Sequence, residues 1–157
     1  RSGEFKFRVQ LRQRDRVLDE NFLVFRVGEE RAHHKAPRRV PGLLMNKVYQ
    51  VGSLRRTEDG FMFTLKNPAM PVFMQHVSGI RVDGQEVEAS QMEFVSGGLS
   101  RRATTITPQA AMEIPSNAPF TAVVRGHPLA PGGHEIEMTV QFLGLDEVSA
   151  RLKDKLI

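Results

Sequence analysis

Residues 129–143, LAPGGHEIEMTVQFL, constrain the fold of this chain more than any other stretch. Ile136, Met138, Val140 and Phe142 fall on one side, and Glu135, Glu137, Thr139 and Gln141 on the other. A period of two over that length describes a strand with one face on a core and the other in water. Pro131-Gly132-Gly133 launches it, because Pro presets φ and Gly admits positive φ. A turn followed by a long amphipathic strand late in a short chain is how small antiparallel domains close. The expected fold class is therefore all-β, an antiparallel β-sandwich.

Shorter runs repeat the pattern. Residues 46–54 form a first strand candidate. Phe61, Phe63 and Leu65 alternate with Met62, Thr64 and Lys66 in a second, and Thr57-Glu58-Asp59-Gly60 between them predicts a hairpin. Residues 72–77 and 80–82 read as two separate strands. Asp83-Gly84 then turns the chain into residues 85–88, with the type I′ geometry that needs positive φ at both central positions. Residues 91–96, ended by Gly97-Gly98, and residues 120–125 are further strands. Residues 99–119 lack a pattern, and Pro108, Pro115 and Pro119 limit any ladder, so a long loop is expected there. Leu145, Val148, Leu152 and Leu156 recur at helical spacing after an Asp146 cap, which predicts a short C-terminal helix. A final strand through Val148, Ala150 and Leu152 is the competing reading.

Pro37-Arg38-Arg39-Val40-Pro41-Gly42 reads as a linker. It separates an N-terminal extension, residues 1–44, from a sandwich domain, residues 45–157. In the extension, Phe5, Phe7, Val9 and Leu11 alternate with Lys6, Arg8, Gln10 and Arg12, and residues 22–27 form a second apolar run. That predicts a β-hairpin added to an exposed sheet edge, in the same or a neighbouring molecule. The alternative is that translation starts at Met45 and the extension is upstream or vector-encoded, since Arg1-Ser2 and Glu4-Phe5 are what common cloning sites encode.

Charge follows the same division. Residues 1–44 carry 11 Lys/Arg and 6 Asp/Glu, whereas residues 45–157 carry 11 and 12. The net charge of +4 thus belongs to the extension, and the body offers no single-signed basic surface. One Tyr and no Trp leave few stacking platforms for bases, so no nucleic-acid partner is expected. No apolar run reaches the roughly 18 residues of a membrane span, and no secretory leader pattern occurs. A chain with no Cys has no disulfide and no thiolate ligand, and it fits a reducing compartment. The expectation is a soluble, cytoplasmic protein with no membrane partner.

Four segments carry a family resemblance: Val51-Gly52-Ser53-Leu54-Arg55, Gly60-Phe61-Met62-Phe63-Thr64-Leu65-Lys66-Asn67, Ile80-Arg81-Val82-Asp83-Gly84-Gln85-Glu86-Val87 and Leu129-Ala130-Pro131-Gly132-Gly133-His134. Through them, residues 45–157 resemble the β subunits of C-glycoside deglycosidases, short bacterial β-sandwich proteins. The resemblance implies an accessory subunit that assembles with a larger, barrel-type enzyme subunit, to which the metal-dependent bond cleavage is attributed. Some short relatives carry a hydroxymethylglutaryl-CoA reductase label. This chain has no G-x-G-x-x-G after a strand and little room for a dinucleotide beside a coenzyme A thioester, so that label is not expected to apply.

Candidate sites are few. In residues 69–74, Met70, Val72, Phe73 and Met74 crowd a proline-broken stretch where alternation fails, which marks a partner-binding patch. The irregular stretch 99–119 is the second partner-contact candidate, and Arg101 and Arg102 in it have the fork that holds a carboxylate or phosphate. No cofactor is required, but a divalent metal could be held if His76, His127 and His134 converge across a sandwich, with Glu135 or Glu137 in support. His134, fixed by the preceding turn, is the first choice as ligand. Ser96, Ser100 and Ser116 lack the strand-turn-helix setting of a nucleophile elbow. Two functions follow: an accessory subunit that binds a protein partner and forms a homo-oligomer, or a small metal-dependent hydrolase of esters or lactones.

Overall fold

The computed structural model describes the backbone of three N-terminal strand segments, and backbone and side chains from Lys47 to Ile157. The chain divides into two compact units, Arg1–Lys35 and Ala36–Ile157. The first is an antiparallel hairpin of β1 (Gly3–Gln13) and β2 (Arg16–Val27), in which Phe5 stands opposite Phe25 and Phe7 opposite Leu23.

The second unit is built from two sheets. Its strands are β3 (Arg38–Arg39), β4 (Arg55–Arg56), β5 (Gly60–Lys66), β6 (Val72–Val82), β7 (Gln85–Val87), β8 (Met92–Ser96), β9 (Leu99–Arg102), β10 (Met112–Ile114), β11 (Pro119–Arg125), β12 (Gly132–Phe142) and β13 (Val148–Leu156). The first sheet has the order β10-β6-β12-β13-β3, with β7 also on β6; the second has the order β4-β5-β11-β8-β9. Among the described residues, only the short β3–β13 pairing is parallel. The inward side chains of both sheets meet in one core, among them Phe61, Phe63, Phe94 and Val124 from the second and Met74, Ile80, Ile136 and Leu152 from the first. This is a β-sandwich with no long helix among the described residues. None of their helical turns is long and apolar enough to cross a membrane.

β12 keeps the alternation of its sequence: Ile136, Met138 and Val140 are buried, while the residues between them are more open. Its neighbour β6 is one strand, not the two expected. The register with β12 slips twice, so Ser78 and Gln75 are extra residues on the β6 side. These two bulges carry Met74, Val77, Ile80 and Val82 to the core at spacings that a period of two would miss. The alternation in residues 72–82 fails because the strand is bulged, not because it ends.

The C-terminal helix is corrected to a strand. β13 pairs along β12 from Gly132↔Leu156 to Val140↔Val148. Ala150, Leu152 and Leu156 point into the core, and Leu145, which the helical spacing required, is exposed. Asp154 shares the inward phase, and that one polar residue interrupts the period of two. Residues 47–54 are also not a strand: Tyr49 makes a single bridge to Leu65, and Gly52 turns the chain at φ 79°. Residues 99–119 hold more order than a loop, since β9 continues the second sheet and β10 crosses to the first. Asp83 (φ 52°) and Gly84 (φ 81°) form the expected turn with both central residues left-handed.

Candidate functional site

A set of bonded polar groups lies where the β6–β7 turn, the start of β12 and the end of β13 meet. Asp83, Gly133, His134, Glu135, Lys153 and Asp154 line an open depression of about 290 Å³ there. The Pro131-Gly132-Gly133 turn aims His134 back across its own launch. Its Nδ1 lies 2.7 Å from Asp83 Oδ2 and its Nε2 2.7 Å from the Ala130 carbonyl. Both partners accept hydrogen bonds, so the geometry favours the doubly protonated ring. The Asp83 carboxylate, then the Ala130 carbonyl, raise the His134 pKa above its ordinary value against a smaller opposing effect of burial. Asp83 is held below the usual carboxylate range by the Glu135 N–H, which donates to its Oδ1 at 2.9 Å, and by His134.

A second pair borders the same depression. The Tyr49 hydroxyl donates to Asp154, as do the backbone N–H groups of Gly52 (2.9 Å) and Leu54 (3.3 Å). Burial, then the adjacent Asp154 carboxylate, push the Tyr49 hydroxyl pKa well up. For Asp154, partial burial acts to raise the pKa. The hydrogen bonds from Tyr49 and from the Lys155, Leu54 and Gly52 amides outweigh it and hold the carboxyl below its ordinary value.

Chemically, this arrangement is a pair of clasps. A ring with both nitrogens hydrogen-bonded inside the protein offers neither of them freely to a metal or to a substrate proton. The three candidate histidines also have separate surroundings. His127 packs edge-on against Phe61, with ring centroids 6.2 Å apart. His76 is exposed on β6 opposite Gln141, seven residues along β12 from His134, a distance of about 23 Å at the usual strand rise. Among the described residues, no group of three or more His, Cys, Asp or Glu side chains could hold a metal ion.

The expected partner-binding residues separate. Met70 (66% exposed) and Phe73 (40%) are open to solvent, Val72 is half-buried, and Met74 is fully buried in the core, so Met74 is not a contact residue. Beside Phe73 stands Leu143, 59% exposed, whose N–H donates to the Phe73 carbonyl at 2.8 Å. Leu143 went unnoticed because in sequence it only ends an apolar run. Arg101 turns inward and donates to the carbonyls of Ala111 (3.2 Å) and Thr105 (2.6 Å). Arg102, the next residue, is exposed on the outer face. Ser96 is buried, and the Ser100 hydroxyl is bonded to Glu93. Asp83, Tyr49 and Asp154 as a bonded set had no sequence signal, since 51 residues separate His134 from Asp83 and 105 separate Tyr49 from Asp154.

Among protein families, the chain matches the one described as hydroxymethylglutaryl-CoA reductase, N-terminal domain, over residues 44–156. No curated protein matches the chain. The match overturns the resemblance to C-glycoside deglycosidase β subunits, which rested on turns and alternation common to many sandwiches. It also overturns the expectation that the reductase label does not apply, as far as family is concerned. The lack of a dinucleotide fingerprint bears on chemistry, not on descent.

Proposed function

Since the chain belongs to the hydroxymethylglutaryl-CoA reductase N-terminal domain family, we propose that it is an accessory module that works by binding a protein partner. The observation that carries this reading is the apolar end of the first sheet. There Phe73 and Leu143 lie side by side in solvent with Met70 close by in sequence. Adjacent large apolar side chains left in water are a contact surface waiting for cover, and each Å² buried contributes about 25 cal/mol. Glu113, opposite Phe73 on β10, gives the patch a charged margin. The family description, one domain of a larger enzyme, supports a module that works beside a catalytic body. The partner is a second copy of the chain or a larger enzyme subunit, and a reducing, cytoplasmic setting fits a chain with no cysteine.

The alternative, a small metal-dependent hydrolase of esters or lactones, draws less support. Its first-choice ligand, His134, has both nitrogens committed. The test compares wild type with Phe73→Asp/Leu143→Asp by light scattering across concentration, and assays ester and lactone turnover with and without chelator. Concentration-dependent association lost in the double variant, with no turnover, supports the accessory reading. Robust turnover, abolished by His134→Ala, would replace it with the hydrolase.

A further inference from the structure

A different feature occupies the outer face of the second sheet. Glu93 on β8 stands directly opposite Arg102 on β9, and β11 on the other side contributes Arg125, whose Nη2 lies 3.2 Å from Glu93 Oε2. Strand alternation divides the adjacent arginines: Arg101 turns to carbonyls inside, while Arg102 is left on the outer face. Among the described residues the Arg102 guanidinium joins no side-chain hydrogen bond or close ion pair, although its charge acts on Glu93; the Arg102 carbonyl accepts the Thr105 hydroxyl at 2.8 Å. The 3-10 turn Ala89–Gln91 closes one side. Its Gln91 Oε1 accepts the Glu88 N–H at 3.3 Å, which fixes the amide and leaves Nε2 as a donor. Gly126 keeps that donor clear, because a Cβ at this position would sit 3.0 Å from Gln91 Nε2. The result is a recess of about 490 Å³ lined by Ser90, Gln91, Met92, Glu93, Arg102 and Arg125.

We infer that this recess binds a compact oxyanion, a carboxylate or phosphate group, between Arg102 and Arg125 with the Gln91 amide as a third donor. Among the lining residues two guanidinium groups face one carboxylate, and the nearby Glu88 carboxylate is engaged by the Ser90 hydroxyl at 3.1 Å. The planar fork of Arg102 presents paired N–H groups that match an oxyanion's geometry. Glu93 plays two parts: it positions Arg125, and its own charge weakens anion binding. This site is independent of the apolar end of the first sheet, so it stands or falls separately from the accessory reading.

The test is an NMR titration of the full chain with sodium phosphate and, separately, sodium succinate, at constant ionic strength made up with chloride. Saturable shifts confined to residues 90–93, 101–102 and 125–126 are expected, and the salt that saturates at lower concentration identifies the preferred group. Arg102→Gln weakens binding about tenfold, the scale of one charge-assisted hydrogen bond. Glu93→Gln tightens it severalfold by removing the competing charge. Shifts that never saturate, that spread through the basic residues 1–44, or that are unchanged in Arg102→Gln would overturn the site.

Discussion

The paired strands β6 and β12 end in two contrasting ways. At one end, Asp83, His134 and Glu135 satisfy each other, with Tyr49 and Asp154 beside them, and nearly every polar group has a partner. At the other, Phe73 and Leu143 share a backbone hydrogen bond yet expose their side chains. The first end holds the sandwich together. The second is available to something else. On the proposed function, one sheet separates stability from interaction along its length, and substitutions at the two ends should separate in the same way.

The largest effect sits beside the open end without belonging to it. Met74→Ala removes a fully buried side chain next to exposed Phe73 and should cost about 3 kcal/mol in urea denaturation, within the range for large-to-small core changes. At the clasped end, Asp154→Ala strips the acceptor from one hydroxyl and three backbone N–H groups, and about 2 kcal/mol is expected. If Asp154→Ala proves no worse than an ordinary surface substitution, the clasp is decoration and the contrast fails.

His134→Gln should cost about 1 kcal/mol, discounted because Asp83 is half-exposed to screening solvent. Its signature is the pH dependence. His134 has a raised folded pKa, so its contribution is complete below the unfolded value near 6.5 and disappears as pH rises through the folded value. Asp83 has a lowered folded pKa, so its share is present above about 3.9 and is lost as pH falls through the folded value. The melting-temperature gap between wild type and His134→Gln should be widest between those limits and close toward alkaline pH. A gap independent of pH would mean the ring is not an imidazolium. The smallest effect on stability, under about 0.5 kcal/mol, belongs to Phe73→Ser, yet this variant should lose the association measured by light scattering.

The sequence was readable where strands are regular. β12 alternates without fault, so both its extent and its buried face follow from the residues. β6 lies beside it and was split in two, because bulges at Gln75 and Ser78 conceal a continuous strand behind a broken period. The same parity shift put Met74 among the contact candidates, since only the register shows which of Phe73 and Met74 turns inward. In β13 a single inward Asp154 imitated a helical pattern. The turn before His134 was legible, but its partners were not: Ala130 is local yet silent, and Asp83 arrives from another strand. Nothing in the spacing of His76, His127 and His134 could show that one packs on a Phe ring and another is exposed on β6, opposite the far end of β12.

The Tyr49–Asp154 bond also carries a consequence for timing. It joins positions 105 residues apart, and Gly52 and Leu54 depend on the same carboxylate. Local hairpins such as β12–β13 can form early, but this closure must wait for almost the whole body of the domain to be in place. Closing so long a loop is slow, because its entropy is lost before its contacts are gained. During synthesis the segment around Tyr49 emerges long before its acceptor does. Until residue 154 arrives, three donors near the first strands of the sandwich remain with water, and the domain cannot latch.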